Sequence, residues 1–455
     1  MSERAVGSES ERWRLAPHRE SAWLAGVFAV ALVLAWLRVP AGAHGVLWAE
    51  DGDTFLREQI ELGSLATLFH PYAGYQHFLP RVFTVVASEL FPRDNFGVAV
   101  SSLSLLATAL VCAGTFRLAR GIVTWLPARV AVALVPVLVP LISRELLGDL
   151  ANLHTYCLWL VVWIFLARSD VSRAERAFWA GVVFVCFLTE VQAIVALPIL
   201  LLRLLWDRGR AVWLLLAGAL LGVLPQLVTW LIAPRPQFNA PHGPISVADV
   251  LVGWGATALL PVWSGDTESN AVVLASQGTG ILLLAFVPFA LAAGLVMTIG
   301  RRPQRVALAA LLLVSAAAFG GTLLVNPLTI FQFARFEGGD WLTAQIDIRY
   351  GAAAAIFALA SFPLAASAVV ERWGVRAPRA ARVAAAALLL AVGASVVSQW
   401  ATVPDDRSAV PAWSAQYREA VTTCVGEPEG QRVFAVAPGK SFELACDDLL
   451  RDAGK

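Results

Sequence analysis

Long apolar runs alternate along this chain with polar segments, some holding clusters of arginines and others rich in acids, a pattern that predicts membrane-crossing helices. Runs of about 17 to 25 apolar residues place crossings near 22–38, 96–116, 125–143, 152–168, 176–190, 191–206, 211–233, 271–299, 306–325, 350–370 and 383–401. The expected fold is therefore an all-α polytopic membrane protein with about eleven transmembrane helices. The apolar stretch FLPRVFTVVASELF at 78–91 is short and carries Arg81 and Glu89, which suits a helix lying in the interface better than one crossing the bilayer. The stretch 176–206 has the opposite problem, because one continuous helix there would run about 46 Å. It is expected to fold back at Thr189-Glu190-Val191-Gln192, leaving Glu190 at the surface or in a cavity.

The arginines set the sidedness. With a cytoplasmic N-terminus, the inward loops hold Arg117 and Arg120; Arg168, Arg173 and Arg176; Arg203, Arg208 and Arg210; RRPQR at 301–305; and ERWGVRAPRAAR at 371–382. The outward segments are then 39–95, 144–151, 234–270, 326–349 and the tail from 402, which places the C-terminus outside the cell membrane. Three units follow: a cytoplasmic segment 1–21, a transmembrane domain 22–401 and a small extracytoplasmic tail 402–455. Ala41-Gly42-Ala43 mimics a cleavage site, but the polar, arginine-bearing stretch before the first apolar run reads as part of an uncleaved signal anchor.

Composition agrees: 58% of residues are hydrophobic, 15% are charged, and mean hydropathy is +0.68. A net charge of +1 gives no reason to expect a nucleic-acid partner. Lysine occurs only at 440 and 455, an arginine bias typical of a GC-rich bacterial genome, so the expected location is a bacterial plasma membrane.

Candidate chemistry concentrates just beyond the first apolar run, where LWAEDGDTFLREQ packs Glu50, Asp51 and Asp53 into four positions. Capping the following surface helix would use one carboxylate, not three. The letters resemble a calcium loop, yet the spacing and terminal Glu of an EF-hand are missing. There is no paired-cysteine zinc signature, Gly-x-Ser-x-Gly elbow, phosphate-binding Gly-rich loop with Lys, or His-Glu-x-x-His.

Glu50-Asp51-Gly52-Asp53 after the first span, YAGYQHFLPR at 72–81, RELLGDLANLHTY at 144–156 and the Thr189-Glu190 turn resemble the GT-C superfamily of membrane glycosyltransferases. The likeness covers roughly the first 206 residues, with short motifs; the chain is also similar to actinobacterial multispanning proteins. The resemblance implies transfer of a sugar from a polyprenyl-phosphate donor to a glycan, lipid or protein acceptor on the outer face, with inversion. It makes Asp51 the leading general base, with Glu50 and Asp53 as alternatives, and Arg81, Arg349 and His77 the candidates for the donor phosphate. Asp149, His154 and Glu190 are acceptor or metal candidates. The superfamily's second-loop acidic pattern lacks a tight Asp-x-Asp here, so divalent-metal dependence is left open.

Plain structural readings stand beside these. Arg81 can snorkel from an interfacial helix, Arg349 can pair with Asp347, and a lone His near a membrane surface is commonly a packing residue. Trp254, Trp263, Phe331, Phe333, Phe336 and Trp341 fit an interfacial aromatic belt or a sugar-stacking surface. Cys112, Cys157 and Cys186 fall in spans and read as packing residues, whereas Cys424 and Cys446 share the tail on the oxidising side and are expected to form a disulfide. The tail reads as a helix near 412–423, a strand at 431–437, a turn at Pro438-Gly439 and a short acidic end. Two rival functions remain: a transporter or flippase for lipid-linked or small solutes, and a non-catalytic membrane protein of envelope assembly. A transporter would place ionisable residues and broken helices near the bilayer midplane.

Overall fold

The computed structural model describes residues 17–140, 142–167, 172–233, 241–264, 267–343, 348–400 and 406–454. Arg168 and Asp347 lie outside the described residues, as do the side chains of Arg144 and Arg349. Among the described residues, eight helices are long and apolar enough to cross a membrane, with shorter apolar helices at Leu126–Leu138, Leu153–Leu166 and Val191–Trp206. The chain is a helical, multi-pass membrane protein.

The main elements are α1 (Pro17–Arg38), α2 (Phe78–Leu90), α3 (Phe96–Leu118), α4 (Leu126–Leu138), α5 (Leu153–Leu166), α6 (Arg173–Thr189), α7 (Leu197–Trp206) and α8 (Arg210–Ile232). After these come α9 (Val247–Ser264), α10 (Leu282–Ile299), α11 (Arg302–Val325), α12 (Ile348–Leu359), α13 (Ser361–Trp373) and α14 (Pro378–Ser398). The tail holds α15 (Trp413–Gly426), strands β1 (Gln431–Val436) and β2 (Lys440–Ala445), and α16 (Cys446–Ala453).

Helix packing follows from where small and large residues fall. On α8, Gly218, Gly222, Gln226 and Thr229 turn inward, while Leu220, Leu224, Leu227 and Leu231 remain on the exposed face that lipid would cover. A Cβ on Gly218 would stand 2.4 Å from the Ala180 carbonyl oxygen of α6, and one on Gly222 would stand 2.7 Å from that of Phe184. The two helices therefore meet backbone to backbone through a small-xxx-small seam.

The arginine-bearing helix ends gather at one end of the bundle. Arg117 binds Glu175 at 2.8 Å, joining the end of α3 to the start of α6, and Arg129 makes two bonds of 3.2 and 3.1 Å to Glu20 near the start of α1. Glu371 accepts from Thr124 Oγ1 and Ser367 Oγ at 2.6 Å, from Gln304 Nε2 at 3.0 Å, and from Arg301. At the opposite end, Arg38 donates to the Val137 and Val139 carbonyls, satisfying the last turn of α4.

α2 stays at that opposite end. Its first turn is held by Thr189 Oγ1, which accepts from the Leu79 N–H at 3.1 Å, and three residues after its last turn Arg93 leads into α3. The chain also breaks at Glu190, where α6 ends and a 3₁₀ turn, Val191–Ala196, leads into α7.

The segment expected as loop 234–270 is different, because it contains the apolar helix α9. Ser246 caps it, accepting from the Asp249 N–H at 3.1 Å while Asp249 accepts in return, so the early acid closes the cap instead of breaking the helix. Asp249 also accepts from the Ala334 N–H at 2.9 Å, just beyond α11, and at the other end Gln399, just beyond α14, donates to the Val262 carbonyl at 2.9 Å. The C-terminal ends of α11 and α14 lie on the same side, so α9 enters and leaves the bundle there. The run 271–299, expected as one crossing, is broken at Gly278 (φ 69°) into two helices.

The tail also holds more structure than its pattern predicts. The expected acidic end is β2, paired antiparallel with β1, followed by α16. Phe442 and Leu444 alternate inward along β2 beneath polar neighbours. Cys424 and Cys446 are disulfide-bonded, with Cα atoms 5.2 Å apart.

Candidate active site

The chain between α1 and α2 turns wide at Glu50–Leu56 as a π-helix, a form often found where a side chain must be re-aimed. That turn separates the three acids. Asp51 is buried, Glu50 is half-buried, and Asp53 points outward into an ion pair with Arg57 at 3.1 Å.

Asp51 reaches the second outer segment. Its Oδ1 accepts from the Leu150 and Ala151 N–H groups at 3.2 and 3.1 Å, and its Oδ2 shares the Leu150 N–H at 3.2 Å. Gly148, at φ 89°, supplies the left-handed turn that brings Leu150 and Ala151 round to that carboxylate. Asp149 sits in the same turn, buried; its Oδ1 accepts from the Asn152 N–H at 2.8 Å. Its Oδ2 has no hydrogen-bond partner among the described residues.

Burial raises Asp51 well above the usual carboxylate range, and the negative charge of Asp149 adds to the rise, against the two amide donors. Burial likewise brings Asp149 up to about 7, although the Asn152 N–H and the cationic Arg407 pull it down. Two buried acids so placed hold on to a proton near neutral pH.

Further candidates join through the same segment. His77 sits between two backbone carbonyls, with Nε2 2.8 Å from Ala151 O and Nδ1 3.2 Å from Thr189 O. Desolvation, with the neighbouring His154, lowers its pKa to about 3, so the ring is neutral and its single N–H is assigned to the shorter contact. The His77 and His154 ring centroids are 5.5 Å apart, and His154 Nδ1 pairs with Glu190 Oε2. Glu190 Oε1 accepts from the Gln192 N–H at 2.6 Å, fixing the break between α6 and α7 as the wall of this cluster. Tyr72 stacks on His77 at 5.5 Å and donates a long 3.4 Å bond to Glu50.

Asp51, Glu50, Asp149, His77, His154 and Glu190 thus form one cluster at the end of the bundle opposite the arginine-rich one. Asp53 stands apart from it. So does the Arg81 guanidinium: it is buried, bound to Glu58 Oε2 at 2.7 Å and Thr67 Oγ1 at 2.9 Å, and lies 5.4 Å from the centre of the Phe55 ring. A phosphate would have to displace that pair. Replacing Arg81 by Met is expected to destabilise the fold by about 3 kcal/mol, because Glu58 loses its buried counter-charge, and Glu58→Leu in the same chain should recover part of that loss. Thermal denaturation of the single and double variants measures this.

Arg349 stands in the first turn of α12, which packs against Ile142–Glu145 and α5 beside the cluster. The expected aromatic belt is mostly interior. Phe333 and Phe336 pack on Trp341 with centroids 6.2 and 5.2 Å apart, Trp254 donates to Ser315 Oγ at 2.9 Å, and Trp263 donates to the Ala285 carbonyl at 3.2 Å.

Several contributors carried no sequence signal. Arg407, on the tail side of α14, is fully buried, donates to the Leu147 carbonyl at 3.0 Å and lowers the Asp149 pKa. Gln226 of α8 bonds the Gln76 backbone in both directions, at 2.8 and 3.1 Å, holding the chain just before His77. The tail hairpin closes over the π-turn: the Ala437 N–H donates to Leu47 O at 3.0 Å, and a Cβ on Gly52 would stand 2.7 Å from the Phe442 ring.

Among the described residues no three His, Cys, Asp or Glu side chains are arranged to hold a metal ion. No protein-family model, curated protein or solved structure matches this chain.

Proposed function

We propose that this protein is a membrane glycosyltransferase of GT-C type, moving a sugar from a polyprenyl-phosphate donor to a cell-envelope acceptor at the outer face of the plasma membrane. The observation that carries the reading is the buried Asp51 carboxylate, clasped by the Leu150 and Ala151 N–H groups with Asp149 alongside. A carboxylate with a raised proton affinity, fixed in direction by backbone donors, is suited to take a proton from an acceptor hydroxyl as that oxygen attacks the anomeric carbon. The sugar–phosphate bond breaks as the new bond forms, and the departing charge resides on the polyprenyl phosphate. Glu50 and the partly exposed His154 stand on the accessible side, where an acceptor hydroxyl arrives first. Arg349, in the first turn of α12, is the residue proposed for the donor phosphate, as the resemblance implies.

Several features support a proton-accepting site over a solute path. The titratable cluster lies at one end of the bundle, and the helix break at Glu190 forms its wall. A transporter would be expected to bind at the midplane.

The pH dependence tests the assignment. A base must be deprotonated to act, so transfer should rise with pH as the Asp51–Asp149 pair, in which burial brings Asp149 up to about 7, gives up its proton. Arg407 lowers that value, so Arg407→Gln should move the rising limb to higher pH. Asp149→Asn removes the like charge that raises Asp51, so it should move the limb to lower pH. Limbs that stay fixed in both variants would remove this pair from the rate-limiting ionisation.

A further inference from the structure

Just before α2 the chain reverses within two residues. Tyr72 and Tyr75 exchange backbone hydrogen bonds of 2.8 and 3.0 Å, and the residues between them, Ala73 (φ 48°) and Gly74 (φ 85°), both lie in the left-handed region. Glycine adopts that conformation freely, but an alanine there crowds its Cβ against the backbone and stays only where the surroundings impose it. Ala73 is the one non-glycine with positive φ among the described residues.

The turn sets two rings beside the candidate base. Tyr72 and Tyr75 meet edge to face with centroids 5.5 Å apart, and each lies 5.5 Å from His77, Tyr72 stacked on it and Tyr75 edge-on. Both tyrosines are half-buried, above the buried Gln76 and His77. The Tyr72 hydroxyl donates to Glu50, next in sequence to Asp51. Beyond His77 the row of rings continues to His154, whose Nδ1 is held by Glu190. The His154 side chain is 32% exposed, and its Nε2 makes no hydrogen bond among the described residues.

An aromatic platform bordered by a carboxylate and an imidazole suits one class of ligand. The C–H bonds on one face of a pyranose ring are apolar and slightly positive, so they pack against the negative face of an aromatic ring. The hydroxyls at the edge of the same sugar both donate and accept, which matches Glu50 and the His154 nitrogen. A simple alcohol would use the edge groups and leave the rings uncovered.

We propose that Tyr72 and Tyr75 form a stacking platform for a pyranose ring of the acceptor, with Glu50 and His154 taking its hydroxyls, so that the acceptor is a glycan. The proposal rests on the transferase reading, in which Asp51 takes the proton of an acceptor hydroxyl arriving on the Glu50 side.

The test is saturation-transfer NMR with the purified full-length protein in detergent. The probes are methyl β-D-glucopyranoside, methyl β-D-galactopyranoside and methyl α-D-mannopyranoside, with glycerol as a polyol that has no ring face. At least one glycoside should receive saturation at the C–H protons of one face, and glycerol should not. Tyr72→Leu with Tyr75→Leu should weaken that glycoside's binding about tenfold, whereas Tyr72→Phe, which keeps the ring, should retain the face contact. Absence of face contact in wild type, glycerol saturated as strongly as the glycosides, or face contact unchanged in the double leucine variant would each overturn the proposal. Sugar transfer assayed on the same preparations separates the two readings. Transfer with face contact indifferent to both tyrosines would remove the platform alone, and face contact that depends on them in a protein that transfers nothing would remove the transferase reading alone. Should the double variant fail to fold, Tyr75→Leu and the comparison of glycosides with glycerol on wild type decide the matter.

Discussion

Asp51→Asn is expected to lower sugar transfer by about 10²- to 10⁴-fold, the usual contribution of a positioned general base, while leaving the fold and donor binding intact. The side-chain amide keeps one oxygen for the Leu150 and Ala151 N–H groups and gives up the charge that Asp149 opposes. Loss of a buried like charge favours folding, so lost activity would not trace to unfolding. Initial rates with a saturating polyprenyl-phosphate sugar, beside thermal denaturation of the same preparation, measure both effects. Glu50→Gln, on the accessible side, is the control: an equal loss there with Asp51→Asn near wild type would transfer the role of base to Glu50.

Removing the tail disulfide should lower both stability and activity. Replacing Cys424 and Cys446 by Ser frees a loop with a sequence separation of 22, and in the chain-entropy model that costs about 3 kcal/mol. The loss would reach the candidate site, because the hairpin bounded by those cysteines lies on Gly52 and pairs with Leu47. Limited proteolysis should cut the tail of the double variant at protease levels that spare wild type, and transfer should fall with it. A tail equally resistant in both would mean that the docked hairpin is held by packing alone, chiefly Phe434 and Phe442 beneath Trp413.

What the chain discloses in advance is whatever depends on neighbours in sequence. Most of the eight long apolar helices follow from run length, although the eleven expected crossings exceed them, the break at Glu190 follows from a run too long for one crossing, and the first-loop acids from their density. α9 was hidden because Asp249 reads as a loop acid until its reciprocal cap with Ser246 is seen. β2 was hidden because the two inward side chains, Phe442 and Leu444, make too short an alternation.

The site is harder to read because its couplings span the chain. Asp51 is oriented by amides about a hundred positions away, and nothing near Arg407 marks it as a neighbour of Leu147. Arg81 stands in a motif that invites a phosphate, but its nearest carboxylate is Glu58, on the far side of a loop whose path cannot be traced from local pattern. Helix α3 illustrates the same division: its length is plain in sequence, while its close approach to Gly45 through Gly97 appears only in three dimensions.

The most direct test of the central claim is reconstitution of the purified protein in liposomes with a panel of radiolabelled polyprenyl-phosphate sugars and envelope acceptors. The account predicts that wild type joins the label to an acceptor with inversion at the anomeric carbon, and that Asp51→Asn does not. Donor carried across the bilayer without any bond to an acceptor, equally by both proteins, would contradict the account and make this chain a transporter.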